Sequence, residues 1–523
     1  MGTLGLDHDI GAEVTAAETV GMMHAVWARE TPDQVAVYNP DGSTRTYGEL
    51  NANANRIARM LREAGLKADD GIALLCSNRA EFCDVLSGAL RIGLRLTPVN
   101  WHLTAEEIAY IVKDCEAKAL FADVRVATSQ AAAEMCPDLK VKVAIGGDIP
   151  GFRPYSDLEA YDASDIDNPK RGYCMLYTSG TTGRPKGVYK PDAVAPAYSD
   201  EYDRATDVHM CTGPAYHAAP LGGDVRRPLI NGLPIVFLDK WDSEETLRII
   251  QDRKVTHSHL VPIMFQRLLA LPDEVRGKYD VSSLKRITHG AAPCPPEVKR
   301  AMIEWVGPVL REYYAGSEGG AGFIVTSEEW LERPGTVGRR PHPDAAKIFD
   351  DAGNECPQGV AGTIYMRLGE TAEFQYYKDS EKTQKARIGN YFTLGDIGYL
   401  DENDWLFLTG RSAETIIAGG VNIYPQEIDN ELIKHPAVED SCTIGVPHEQ
   451  YGEEVRAVIL LKPGFEPSEA LKDEILGFAL ANLAKFKIPR GIDFVDDLPR
   501  SMAGKVLRNK VRAPYWEGRA RAI

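Results

Sequence analysis

Apolar and polar positions along the chain alternate between a helical rhythm and short apolar runs. The segment "YGELNANANRIARMLREAG", Tyr47 to Gly65, reads as a helix, and the short apolar "GIALLCS", Gly71 to Ser77, reads as a strand. A second helix, "RAEFCDVLSGALRIG" from Arg79 to Gly93, leads into "RLTPVN". This alternation predicts an α/β chain of layered sheets and helices whose strands are largely buried. No low-complexity tract and no repeat with a period of ~20 to 50 residues interrupts it. Near "LTGRSAET", Leu408 to Thr415, an apolar strand ends in a turn and a polar stretch opens. The expected division is a large N-terminal domain over 1–410 and a small, mobile α+β C-terminal domain over 411–523. Pro and Gly in "FKIPRGIDFVDDLPRSMAGK" mark loops near the end of the small unit.

Composition narrows the classes that remain. At 523 residues the chain exceeds one ordinary core, and its 44% hydrophobic and 26% charged residues are the balance of a globular protein. A net charge of -17 supplies no basic face for a phosphate backbone, which excludes a nucleic-acid scaffold. Any phosphorylated ligand must then be held locally. The nine cysteines contain no C-x-x-C pair, a pattern that suits a reducing compartment better than a disulfide framework or a zinc site. The start "MGTLGLDHDIGAEVT" lacks a basic segment followed by an apolar one, and Leu6 stands where a myristoylation signal has Ser or Thr. No apolar run approaches the ~18 to 20 residues of a membrane span, so a cytoplasmic protein is expected.

One stretch carries chemistry on its own. "YTSGTTGRPKGV", Tyr177 to Val188, follows the apolar "CMLY" as a loop follows a strand. Gly180, Gly183 and Gly187 let the backbone turn and present N–H groups, while Thr178, Ser179, Thr181 and Thr182 add hydroxyl donors and Lys186 a mobile positive charge. Such a loop suits a polyphosphate. It is not a Walker A loop, because Gly187 follows the lysine in place of Ser or Thr.

This loop resembles the phosphate loop of the adenylate-forming enzymes: acyl- and aryl-CoA synthetases, firefly luciferase and the adenylation domains of nonribosomal synthetases. Further motifs of that family occur in order from "TYGELN" (Thr46 to Asn51) to "AGKVLR" (Ala503 to Arg508), nearly the whole chain. The resemblance implies an adenine-binding turn at Gly290, Ala291 and Ala292 in "HGAAPCP". In "EYYAGSEGG" it implies that Tyr314 stacks on adenine, that Glu312, Tyr313 and Ser317 belong to the nucleotide site, and that Glu318 holds magnesium together with Thr178. Magnesium favours hard carboxylate and phosphate oxygens, so one glutamate facing a phosphate loop is adequate. Ala315 and Ser317 depart from the usual Gly and Thr without removing the hydroxyl or the carboxylate.

In "YFTLGDIGYLDENDWLFLTGR" the resemblance implies that Asp396 accepts from the ribose hydroxyls and that Arg411 reaches ribose or phosphate, while Leu394 replaces a frequent Thr or Ser. Lys505 in "LPRSMAGKVLR" corresponds to the terminal-loop lysine aimed at the carboxylate and α-phosphate, and Gly419 and Gly420 to the pantetheine tunnel. Ala413 stands at the family's hinge in place of Asp or Lys. His217 in "GPAYHAAPLGG" corresponds to the histidine that gates the carboxylate pocket, with a packed core histidine as the alternative.

The implied activity is an ATP-dependent acid–CoA ligase, most like bacterial fatty-acid and bile-acid types, using Mg2+, ATP, CoA and a small carboxylic acid. Acid and ATP form acyl-AMP and pyrophosphate, and CoA displaces AMP after the small domain turns. Little sequence follows Lys505, which favours free CoA over a fused carrier domain. Another acceptor, whether a carrier protein or luciferase-like oxidation, and a nucleotide-binding regulator stay open, and a homodimer is the expected assembly. His257 and His259 in "VTHSHLVP" share one side of a strand, but no third ligand lies nearby for zinc. In "LGGDVRRPL" the charges Asp224, Arg226 and Arg227 are unexpected on a helix beside an acyl pocket. Either the arginines point outward or pair with neighbours, or one of them meets a polar tail on the acid.

Overall fold

A computed structural model of the chain describes residues 9–178, 185–192, 197–350, 352–369, 373–411, 414–418, 421–448, 451–501 and 504–517. The first predicted helix forms over Tyr47–Glu63. Thr46 caps it by accepting from Glu49 N–H while the Glu49 carboxylate returns to Thr46 N–H, so two otherwise orphaned donors are satisfied together. The run "GIALL" becomes the strand Gly71–Leu75, and the second helix covers Ala80–Leu90. Both lie in a six-stranded, all-parallel layer, in which Gly71–Leu75 pairs with Arg95–Pro98 on one side and Ala117–Asp123 on the other. Every residue of Gly71–Leu75 is buried, as expected for a strand covered on both faces.

An eight-stranded sheet forms the second layer of the large N-terminal domain. Its centre runs in the order Leu310–Gly316, Arg286–His289, His257–Leu260, His209–Cys211, all parallel, with Gly319–Thr326 added antiparallel at one edge. Across these strands Met210, Ser258, Ile287 and Leu310 share one face, and Cys211, His259, Thr288 and Arg311 the other. The first face packs on Phe265, Met302 and Trp330 in a large apolar cluster. An antiparallel sheet containing Tyr391–Leu400 and Trp405–Arg411 follows.

The smaller C-terminal domain is built on a further sheet, in which the long strands Val438–His448 and Gly452–Leu461 pair antiparallel. The helix Pro425–Leu432 buries Ile428 and Leu432 against that sheet, with Val438, Val455 and Ala457 in the same cluster. The mixed α/β expectation, a large first domain and a small second one, therefore holds. Among the described residues no disulfide joins the cysteines, and no helix is long and apolar enough to cross a membrane.

Candidate active site

The C-terminal ends of the four parallel strands carry His217, Gly290–Ala292 and the stretch from Glu312 to Glu318. Ligands in open α/β sheets bind at this edge because the loops that leave the strands have free backbone groups. Gly290 follows the strand Arg286–His289, and a Cβ on it would stand 2.8 Å from both the ring and the carbonyl oxygen of Tyr313. Only glycine fits that approach. Ala291 adopts φ +65°, a left-handed conformation rare outside glycine and frequent at functional turns. Ala292 completes the turn, half-buried.

Strand alternation then separates three consecutive candidates. Tyr313 shares the face of His259, and its hydroxyl lies 3.1 Å from His259 Nε2. Glu312 points to the opposite face, where Lys299 Nζ meets its Oε2 at 2.6 Å and His289 Nε2 lies 3.8 Å away. Tyr314, buried, donates its hydroxyl to Asp396 Oδ2 at 2.8 Å. The adenine and ribose candidates are thus joined directly. Asp396 is buried and faces Arg411 in the register of the strand pair, while the Arg411 side chain lies outside the described residues. Leu394 packs close to Gly316, where a Cβ would come within 2.7 Å of it and 3.0 Å of Glu318 Oε2.

The phosphate-loop hairpin is closed by Thr178 N–H donating to Lys186 C=O at 2.9 Å and by pairing of Gly187 with Tyr177. Thr178 Oγ1 is buried without a hydrogen-bond partner. Lys186 Nζ rests 3.3 Å from Asp379 Oδ2. Ser179, Gly180, Thr181, Thr182 and Gly183 lie outside the described residues, as do Ala413, Gly419 and Gly420. Glu318 Oε1 accepts from the Tyr376 hydroxyl at 2.7 Å, and Lys190 Nζ donates to the Ser317 carbonyl at 2.7 Å. Burial lowers the Lys190 ammonium to about 8, an effect that the nearby Glu318 carboxylate opposes.

Tyr376, Asp379 and Lys190 escaped the reading of the sequence. They belong to no motif; only the pairing of Gln375–Tyr376 with Gly187–Tyr189 brings Tyr376 and Asp379 beside Glu318 and Lys186.

The Glu318 carboxylate and the orphaned Thr178 hydroxyl are hard oxygen ligands of the kind a divalent cation such as magnesium takes. Among the described residues no group of three or more His, Cys, Asp and Glu side chains is placed to hold a metal. His257 and His259 are engaged elsewhere: His257 stacks on His209 with ring centroids 4.9 Å apart, and His259 meets Tyr313.

His217 is half-buried on the loop after Cys211, which Asn78 pins by accepting from Ala215 N–H and donating to Gly213 C=O, both at 2.9 Å. The His217 Nε2 is buried without a partner, and burial lowers the imidazole to about 4, so it is neutral near pH 7. After it, Pro220–Arg226 forms a π-helical segment in place of the expected α-helix. Arg226 Nη2 reaches Glu18 Oε1 at 3.5 Å and Arg227 is exposed, while Asp224 is buried. The outward and paired alternative is the one the arginines follow.

Lys505 is presented by a closed loop. Ser501 N–H donates to Lys505 C=O at 2.7 Å, Gly504 N–H donates to Ser501 C=O at 2.8 Å, and Arg500 bridges to Asp440. Arg508, buried, clamps the following turn through Asp429 at 2.9 Å and Glu414 at 3.2 Å. Gly504 has φ +75°, and a Cβ there would collide with Ile263 Cγ2, just past the strand His257–Leu260. The terminal loop is therefore docked on the same sheet edge as the nucleotide candidates.

An edge of parallel strands that carries a left-handed small-residue turn, a tyrosine–aspartate pair and a docked terminal loop suits an adenylate-forming enzyme. The chain belongs to the AMP-binding enzyme family, whose main domain matches residues 25–376 and whose C-terminal domain matches 427–505. It is similar to the 2-succinylbenzoate–CoA ligase of Geobacillus kaustophilus, 31% identical over 490 residues that cover 92% of this chain and 95% of that one. A fatty acid–[acyl-carrier-protein] ligase, ScoC of Streptomyces coeruleorubidus, is 28% identical over 92% of this chain and 94% of its own. The crystal structure of the anthranilate CoA ligase AuaEII with anthranoyl-AMP superposes with a TM-score of 0.83 at 24% identity, covering 94% of this chain and 96% of that one. This last likeness is one of fold.

Proposed function

We propose that the chain is an ATP-dependent carboxylic acid–CoA ligase that acts in two half-reactions at the one site. The observation that carries this reading is the terminal loop, whose Gly504, next to Lys505, lies against Ile263 at the sheet that also carries Gly290 and the Tyr314–Asp396 pair. We assign adenine to Gly290–Ala292 and Tyr314, ribose to Asp396 and Arg411, and the phosphates to Thr178–Gly183 and Lys186. Glu312, Tyr313 and Ser317 support the nucleotide from its sides. Glu318 and Thr178 would hold a magnesium ion, which supplies positive charge against the phosphates.

Two anions must meet in the first step, so side-chain cations lower the barrier where charge accumulates. Lys186 leaves Asp379 for the β- and γ-phosphates while Lys505 spans the carboxylate and the α-phosphate. The carboxylate oxygen bonds to the α-phosphorus, the bond to pyrophosphate breaks, and acyl-AMP forms. In the second step the CoA sulfur bonds to the acyl carbon, AMP departs with the C–O bond pair, and the thiol proton goes to solvent. His217, neutral and unpartnered at its buried Nε2, borders the acid carboxylate. The small domain, which we begin at residue 411, turns about the segment holding Ala413 and brings Gly419 and Gly420 to the thiol path.

Incubation with ATP, CoA and a panel of acids, followed by mass spectrometry, tests the reading; an acyl adenylate that never yields a thioester sinks the CoA assignment. The likeness to ScoC favours one second reading, a carrier-protein acceptor, which the same assay checks with a phosphopantetheinylated carrier in place of CoA. The scattered cysteines support a cytoplasmic setting, and sedimentation of the purified chain tests the homodimer expectation.

The docked loop gives a sharper test. Gly504→Ala forces a side chain into a left-handed conformation, at a cost of ~1–2 kcal/mol, and into Ile263. Adenylate formation is expected to fall about tenfold or more, because ~1.4 kcal/mol is a factor of ten in rate. Thioester formation from supplied acyl adenylate is expected to change little, and Ile263→Ala in the same chain is expected to restore part of the loss. Quenched-flow measurement of each half-reaction decides it; equal losses in both would show that the contact does not serve the first step.

A further inference from the structure

A strand buried on both faces ordinarily consists of Val, Ile and Leu. The sheet face that carries Tyr313 breaks that rule, since His209, His257 and His259 line it at 5% exposure each. The Tyr202 ring packs edge-on to both members of the His209–His257 stack. Burial keeps all three imidazoles uncharged, with His257 and His259 lowered to about 4. The imidazoles themselves carry no positive charge; the arginines on this face are Arg286, which pairs with Glu201, and Arg311 on the strand Leu310–Gly316.

Asp224 looks onto it from the π-helical segment, 2% exposed. Its Oδ1 lies 3.9 Å from His209 Nδ1, beyond hydrogen-bond reach, and its Oδ2 is buried with no donor. Neither nearby arginine neutralises it, since Arg226 turns to Glu18 and Arg227 is exposed. The His259 backbone N–H acts on this carboxyl, yet Oδ2 is left over; an acid with one oxygen unpartnered is rarely buried to this degree, and π-helical turns are frequent at functional sites. The two residues before it face open space: no heavy atom stands within 4 Å of a Cβ placed on Gly222 or Gly223. The segment begins from His217, whose carbonyl accepts from Leu221 N–H at 2.9 Å.

We propose that Asp224 reads the far end of the acid, so that the substrate is a hydroxylated carboxylic acid whose tail runs past Gly222 and Gly223 and hydrogen-bonds to Asp224 Oδ2. This rests on the ligase reading, which places the acid carboxylate beside His217. Burial pushes the Asp224 carboxyl well above the usual carboxylate range. A neutral carboxyl both donates and accepts, which matches a hydroxyl, whereas a second carboxylate on the substrate would find no cation among the neutral imidazoles. A plain acid of the same length leaves Oδ2 unpaired, and sites built to pair a substrate hydroxyl discriminate strongly against analogues without one.

The test uses matched acids: straight-chain acids with and without a terminal hydroxyl, and phenylpropanoic acids with and without a ring hydroxyl. The wild type is expected to favour the hydroxylated member of at least one pair by about tenfold or more in kcat/KM for adenylate formation. Asp224→Leu, similar in size but apolar, is expected to abolish or invert that preference, and Asp224→Asn to keep most of it. Because each comparison is a ratio within one protein sample, partial loss of folded enzyme does not disturb it. Should the wild type activate no acid at all, the ligase reading falls and takes this inference with it. Activation of acids with the same ratio in wild type and Asp224→Leu overturns this inference alone.

Discussion

Replacing Lys505 with alanine is expected to slow acyl-adenylate formation by about 10²–10³, while thioester formation from supplied acyl adenylate stays close to the wild-type rate. The asymmetry follows from charge. In the first half-reaction a carboxylate approaches a phosphate that is itself anionic, and a fixed cation between them acts where the transition state gathers negative charge. In the second, a thiol attacks a neutral acyl carbon and the leaving group is already an AMP phosphate. The proposed role gives Lys505 the first task alone; Ser501 and Gly504 close its loop, and Ile263 meets that loop from the large domain. A loss of 10²–10³ corresponds to about 2.7–4 kcal/mol of transition-state stabilisation. Single-turnover measurements of the two half-reactions provide the check. If both fall by the same factor, the lysine serves binding or folding generally and the division of labour is wrong. Lys186→Ala gives the contrast, since a lysine on the β- and γ-phosphates is expected to raise KM for ATP as well as lower the rate.

The layered fold could be read from residue types because helix and strand periods are local, and the family from the order of its motifs. Glycines at Gly180, Gly183 and Gly187 and a lysine at Lys186 advertise a phosphate loop wherever the chain goes afterwards. The capping pair Thr46 and Glu49 likewise announces a helix start within four residues. What remained hidden depends on contacts between sheets. Tyr376 reaches Glu318, and Asp379 reaches Lys186, only because Gln375–Tyr376 pairs with the hairpin strand. No periodicity announces such a pairing.

The acyl-side segment shows a different limit. Reading "LGGDVRRPL" on an α-helical period treats Asp224, Arg226 and Arg227 as equal candidates for an inward position. A π-helical turn places an extra residue in the ring closed by each hydrogen bond, which rotates the following side chains relative to that period. Here Asp224 faces the sheet and Arg227 faces out. A similar parity effect divides Glu312 from Tyr313: adjacent in sequence, they lie on opposite faces of one strand, so two members of a motif approach a ligand from different sides.

That opposite face supports the other large expected effect. Lys299, fully buried on the helix Pro296–Val306, pairs with Glu312 at 2.6 Å and lies 4.9 Å from the centre of the Trp330 ring. Burial raises the Glu312 carboxyl even though Lys299 pulls it down. Lys299→Met removes the cation, fills most of its volume and leaves the buried glutamate with only the uncharged His289 imidazole, 3.8 Å away, and breaking a buried pair typically costs about 3–5 kcal/mol. Glu312 can escape the penalty only by taking a proton. The folded-state pKa then rises further above the unfolded value, so the folded form holds the proton more tightly and stability falls as pH rises past about 4.3. The deficit relative to wild type is accordingly expected to be small near pH 5 and larger near pH 8. Adding Glu312→Leu removes the orphaned charge, and replacement of a whole buried pair by apolar residues is often neutral or stabilising by about 1–4 kcal/mol. The double variant should thus recover most of the melting temperature and lose the extra pH dependence. Thermal melts of the wild type, single and double variants at both pH values decide the matter. A single variant whose deficit does not widen between pH 5 and pH 8 would show that Glu312 is not the stranded group, and a double variant with raised KM for ATP would show that its carboxylate also serves the nucleotide.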